Sequence, residues 1–153
     1  MQANSKSTVS ELPPQHEELP SHGNWEFCLE GLRVLVVDDS KELTTLLRSA
    51  LERVGATVSE STSVKEAWNW LKTSEFDAVL CDIGMPVEDG LVLLRRIKES
   101  QNPLIRRLPV VALTAYRSLN EKNEFLVAGF AHHITKPFSL KELIDVLSEY
   151  KQE

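Results

Sequence analysis

The run Arg33-Val34-Leu35-Val36-Val37 is apolar at every residue after its first and stops abruptly at Asp38-Asp39. An alternating strand would leave one face for water. An unbroken run of branched side chains instead fits a strand covered on both faces, as in a parallel sheet between two layers of helix. Directly after it, Leu43, Leu46, Leu47, Ala50, Leu51 and Val54 recur at spacings of three and four, which predicts one helix with an apolar stripe, ended by Gly55.

The same alternation continues outward from this unit. Strands are predicted at 33–37, 57–61, 77–82, 109–113 and 131–135. The first, third and fourth are continuously apolar, whereas the second and fifth are more polar and suit sheet edges. With right-handed crossovers, the pattern predicts an α/β fold: a flavodoxin-like (βα)5 doubly wound, five-stranded parallel sheet of order 2-1-3-4-5. Ser-x-x-Glu capping boxes mark three helix starts, at Ser63 with Glu66, Ser118 with Glu121 and Ser139 with Glu142. Asp89-Gly90 opens a helix holding Leu91, Leu94 and Ile97, and Pro103 falls in the connection after it. The helix at 118–128 is the least amphipathic and is expected to be the most mobile. The last helix carries Leu140, Leu143, Ile144 and Leu147.

With 153 residues and 42% apolar side chains, the chain suits one globular domain rather than two. Residues 1–31 stand apart as a polar leader rich in Ser and Pro, with one Lys against five Glu. A flexible leader is favoured over an arm docked through Trp25, Phe27 and Leu29. Residues 32–150 form the domain and 151–153 a short tail. The net charge of -6 argues against a nucleic-acid backbone as partner. No apolar run approaches the ~18 residues of a membrane span, and no signal-peptide pattern opens the chain. Cys28 and Cys81 make neither a disulfide framework nor zinc-type spacing. A cytoplasmic location is expected.

In such a sheet, sites form beyond the carboxyl ends of the strands, where strand order reverses. The first strand ends in Asp38-Asp39 and the third in Asp82. Carboxylates that close repel one another, and a hard divalent cation such as Mg2+ relieves the repulsion. The fourth strand ends in Thr114 and the fifth in Lys136-Pro137-Phe138, adding a hydroxyl and an ammonium. A cation and two donors around one carboxylate suit phosphoryl transfer, with Asp82 as nucleophile and Asp38 and Asp39 holding the ion. No Gly-x-Gly-x-x-Gly or Gly-x-x-x-x-Gly-Lys loop is present to support a nucleotide site.

Together, Asp38-Asp39, Asp82-Ile83-Gly84-Met85-Pro86 with Asp89-Gly90, Leu113-Thr114-Ala115 and Lys136-Pro137-Phe138 closely resemble the receiver domain of two-component response regulators. The resemblance implies that Asp82 is the phosphoacceptor and Asp39 a direct Mg2+ ligand. It implies that Asp38 acts largely through water and that the Gly84 carbonyl completes the set. Thr114 and Lys136 become the phosphoryl-contacting pair, and the Lys136–Pro137 bond is expected to be cis. It also implies a sensor histidine kinase or histidine phosphotransfer protein as donor. Output to a downstream protein would pass through the helix at 118–128, the last helix and the fifth strand. His133 stands where receivers often carry Tyr or Phe as the switch partner of Thr114. Gly84 and Tyr116 occupy positions that tune hydrolysis, implying slow to moderate self-dephosphorylation of a self-modifying switch rather than a turnover enzyme. A weaker resemblance links residues 31–39, 82–86 and 112–116 to the C-terminal receivers of hybrid sensor kinases.

Two other readings remain open: a phosphorylation-independent interaction module of the same fold, and a metal-dependent phosphohydrolase. The latter lacks the usual Asp-x-Asp spacing after Asp82. His16 and His22 read as solvated. His132 and His133, being adjacent on a strand, face opposite ways. Of Trp68 and Trp70, one is expected to pack and the other to be partly exposed. Cys81 reads as a small buried hydrophobe.

Overall fold

In the computed structural model, residues 27–83, 85, 90–115 and 128–151 are described. The elements, in chain order, are β1 (Arg33–Val37), α1 (Lys41–Glu52), β2 (Thr57–Ser61), α2 (Val64–Thr73), β3 (Ala78–Asp82), α3 (Gly90–Lys98), the one-turn helix α4 (Pro103–Arg106), β4 (Val110–Thr114), β5 (His132–Thr135) and α5 (Leu140–Leu147), with a 3-10 turn at Ser148–Tyr150. The five strands are parallel and run β2-β1-β3-β4-β5. That is the order expected from the sequence.

Side chains alternate across the sheet and build two separate cores. Leu35, Val37, Val79, Cys81, Val110 and Ala112 face one way and meet Ala67 and Leu71 of α2 and Leu93, Leu94 and Ile97 of α3. Val34, Val36, Leu80, Val111, Leu113 and Ile134 face the other way and meet Leu47 and Leu51 of α1 and Leu143, Ile144 and Leu147 of α5. β1, β3 and β4 are covered on both faces, which is why their sequences admit almost no polar residue.

The helix starts are set by side-chain caps. Ser40 Oγ accepts from Leu43 N at 3.2 Å, Ser63 Oγ from Glu66 N at 3.0 Å and Ser139 Oγ from Glu142 N at 3.0 Å. The box at α2 is displaced by one residue. The Glu66 carboxylate accepts from Thr62 N at 2.9 Å, while Ser63 N turns to Ser61 Oγ at 3.4 Å. The box at Ser118 and all of the helix predicted at 118–128 except Ala128 lie outside the described residues.

The structure differs from the sequence reading in four places. The connection at Pro103 holds a turn of helix, because Asn102 accepts from Leu104 N at 2.9 Å and Pro103 occupies the first helical position. Leu46 is 63% exposed, while Thr44 takes the inward position and is fully buried. Trp68 and Trp70 are both half-buried and both pack on the α2–α3 core, and Trp70 Nε1 donates to Glu60 O at 3.1 Å. Finally, residues 27–31, grouped with the leader by composition, pack on the domain. Leu29 is fully buried and its amide donates to Val54 O at 2.8 Å. Gly55, with φ 103°, makes room for this turn, since a Cβ there would lie 2.8 Å from Glu30 Cα. Among the described residues, no helix is long and apolar enough to cross a membrane.

Candidate functional site

Strand register places the polar residues at one rim. Val37 pairs with Cys81, so the next residues, Asp38 and Asp82, leave β1 and β3 side by side. Asp82 pairs with Leu113, one residue before Thr114, and Thr114 pairs with Thr135, one residue before Lys136. Lys136 N donates to Thr114 O at 2.7 Å, which ties the start of the β5 exit to the end of β4. The Lys136–Pro137 peptide is cis.

The three carboxylates converge. Asp38, Asp39 and Asp82 each present an oxygen, all within 4.8 Å of one another. Asp38 is only 1% exposed and is held at both oxygens: Oδ1 accepts from Ser40 N at 2.9 Å and Oδ2 from Lys136 Nζ at 3.2 Å. The same ammonium lies 3.7 Å from Asp82 Oδ1, between the two carboxylates. Burial pushes the Asp38 carboxyl above its ordinary range, and the nearby Asp82 charge pushes it the same way. The Ser40 amide and Lys136 oppose both effects. One ammonium against three acidic groups leaves a net negative cleft of hard oxygen donors, the donor type that suits Mg2+.

Thr114 is buried at the end of β4, at the same rim. His133 is half-buried and pairs with Ala112, on the sheet face opposite His132. His132 instead lies beside the 3-10 turn after α5, with Nε2 3.1 Å from Glu149 Oε1 and its ring 6.1 Å from that of Tyr150. Gly84, Tyr116 and the Pro86–Asp89 stretch lie outside the described residues, as do His16 and His22. Cys81 is fully buried, as expected of a small hydrophobe.

Two residues shape the site in ways that were not read from the sequence. Ser40 both caps α1 and donates its amide to Asp38, and its signal was an Asp-x-Ser step just before a helical period. Gly90, read as a helix opener within the receiver-like motif, lies against the backbone of Asp82 and Ile83.

Residues 34–148 match the family model of the response regulator receiver domain. An uncharacterized 14.6 kDa protein of Leptolyngbya boryana is 36% identical over 122 residues, covering 80% of this chain and 92% of that protein. The transcriptional regulatory protein PhoP of Escherichia coli (strain K12) is 36% identical over 113 residues, 74% of this chain, and the aligned part spans 49% of PhoP. Among solved structures, the receiver domain of sensor histidine kinase PA1611 from Pseudomonas aeruginosa PAO1, with a magnesium ion coordinated in its active site cleft, superposes with a TM-score of 0.69. It is 29% identical and covers 78% of this chain and 97% of that one.

Proposed function

Because this chain belongs to the response regulator receiver domain family of two-component systems, we propose that Asp82 accepts a phosphoryl group from a phosphohistidine on a sensor histidine kinase or a histidine phosphotransfer protein. The observation that carries this reading is the meeting of three carboxylates and the Lys136 ammonium in one cleft at the ends of β1, β3 and β5.

An Asp82 oxygen attacks phosphorus in line with the imidazole nitrogen. The P–O bond forms as the P–N bond breaks, and the imidazole leaves with the electron pair of that bond and takes up a proton. Negative charge on the equatorial oxygens is met by Lys136 Nζ and the Thr114 hydroxyl. Asp38, Asp39, Asp82 and the Gly84 carbonyl are the residues to hold Mg2+, which when bound offsets the carboxylate charge and draws density from the phosphoryl oxygens. The magnesium named for the PA1611 receiver supports that assignment.

The protein is modified once and then signals. Thr114 moves toward the new charge and His133 follows, which repacks the surface formed by β5, α5 and the segment 118–128 for a downstream protein. Gly84 brings no side chain to orient water and Tyr116 is bulky enough to shield an acyl phosphate, so self-dephosphorylation is slow to moderate.

Intact-mass analysis after incubation with acetyl phosphate and Mg2+ tests the reading. A single phosphoryl adduct that Asp82→Asn abolishes supports it, and an adduct that survives the substitution overturns it. No adduct at all would favour an interaction module that works without phosphorylation. Multiple turnover on phosphomonoesters would favour a phosphohydrolase. The parent protein is read as a stand-alone receiver or, second, as a hybrid sensor kinase, which the likeness to the PA1611 receiver favours. Transfer from the kinases of the source cell, compared one by one, identifies the phosphoryl donor under either reading.

A further inference from the structure

At the end of the sheet away from the carboxylates, a cavity of about 680 Å³ opens between α4 and the turn joining α2 to β3. Leu71, Phe76, Pro103 and Leu108 give it apolar walls, and Leu104 stands at its rim 65% exposed. The acidic groups in the wall are already matched. Arg33 Nη2 lies 3.1 Å from Asp77 Oδ1 and Nη1 3.3 Å from Glu75 Oε1. Lys72 and Arg107, which also line the cavity, have no ion-pair partner among the described residues. The surrounding sequence strengthens this positive field: Arg95, Arg96, Lys98, Arg106 and Arg107 fall between Gly90 and Pro109 against Glu99 alone.

A cleft of mixed polar and apolar lining, with two cations unmatched among the described residues, suits a short peptide that offers carboxylates beside one branched apolar side chain. The chain itself contains such a peptide. Glu17-Glu18-Leu19-Pro20 lies in a leader that carries Glu11, Glu17, Glu18 and Glu26 against Lys6. That leader joins the described chain at Phe27, and Leu29 is pinned to Val54 two residues later. Arg33, at the cavity wall, follows Phe27 by six residues, at most about 20 Å of backbone, while the seven residues from Pro20 to Phe27 span up to about 24 Å. The tether therefore reaches. It also keeps the peptide at an effective concentration near the millimolar range, so a shallow site suffices.

We propose that the leader segment Glu17–Pro20 docks in cis into this cavity, with Leu19 between Phe76 and Leu104 and the two carboxylates on Lys72 and Arg107. The site lies at the opposite end of the sheet from Asp82 and stands independently of the phosphoacceptor reading.

A nitroxide attached at position 15 of the full chain, through Gln15→Cys in a Cys28→Ser background, tests the contact. Cys81 is fully buried and stays unlabelled. Paramagnetic broadening is expected to concentrate on the amides of Lys72–Phe76 and Leu104–Leu108. It should be lost with Leu19→Ser, a change confined to the leader. The double reversal Lys72→Glu with Arg107→Glu should also remove it, and adding Glu17→Lys with Glu18→Lys should bring it back. Broadening spread evenly over the surface, or unmoved by Leu19→Ser, overturns the proposal. So does broadening that appears equally when spin-labelled and isotope-labelled molecules are mixed, because the occupant would then be a second copy.

Discussion

Gly90 packs directly against the backbone of Asp82: a Cβ built on Gly90 would lie 2.9 Å from the Asp82 carbonyl oxygen and 3.1 Å from Cys81 Sγ. Backbone atoms in a central strand have little freedom to retreat, so even a methyl group must push the strand end or the first turn of α3. Gly90→Ala is expected to cost about 1–3 kcal/mol of stability and to slow labelling by acetyl phosphate, because it displaces the acceptor residue itself. Leu91→Ala, one residue on and 38% exposed, serves as the control and should leave both nearly unchanged. Thermal melts and labelling rates of the two variants check this.

The carboxylates are expected to separate by role. Asp82→Asn should abolish acid-labile labelling while leaving the fold intact, since an amide has the same shape as the carboxylate it replaces. Asp39→Asn should weaken Mg2+ binding and labelling together. Lys136→Arg keeps a positive charge but spreads it over a planar fork, which cannot occupy the same point between Asp38 and Asp82. That variant should label in part and fail to signal. Intact-mass detection with a Mg2+ titration reads the first two, and a partner-binding assay on phosphorylated protein reads the third.

The strands were legible because a parallel sheet keeps polar residues to the ends of its central members. The bounds of β1 and β2 coincide with the sequence reading, and those of β3, β4 and β5 fall within one residue of it. The convergence of Asp38, Asp39, Asp82 and Lys136 followed from the same logic, as each lies at or just beyond the carboxyl end of a strand. What escaped depends on partners distant in sequence. Thr44 displaced Leu46 from the inward face because Glu60 on β2 offers its hydroxyl an acceptor at 2.8 Å, which no spacing rule encodes. Leu29 was masked by the polar composition around it, and its burial needs the gap at Gly55. The role of Gly90 is visible only once α3 is laid against β3.

Mg2+ should stabilise the protein by mass action. The cleft gathers three acidic groups around one ammonium, so a cation bound only by the folded state relieves repulsion there and raises the melting temperature. At a hundredfold excess over its Kd the gain is about 2.7 kcal/mol. Removal by a chelator should reverse it, and Asp39→Asn should remove most of it. Differential scanning fluorimetry across a Mg2+ series provides the measurement. A melting temperature indifferent to Mg2+ in the unsubstituted protein would contradict the metal assignment.

Glu60 ties α1 to the edge strand and gives stability a defined acid limb. Burial alone would raise its carboxyl, but hydrogen bonds from Lys41, Thr44 and Thr45 outweigh that and hold it down from an ordinary 4.5 to about 2. The distances are 3.0, 2.8 and 3.0 Å. A carboxyl depressed in the folded state contributes stability that is fully present above pH 4.5. This contribution is lost as pH falls from there through about 2. Glu60→Gln keeps an oxygen for the two threonines but removes the charge that Lys41 and Arg48 meet. Because those cations are mostly exposed, the substitution is expected to cost only about 1 kcal/mol at neutral pH. The difference between the two proteins should shrink as pH is lowered from 4.5 toward 2, until their stabilities approach each other. Urea unfolding at several pH values checks the slope. A gap that stayed constant down to pH 2 would mean that the Glu60 charge contributes nothing and that the substitution acts through packing alone.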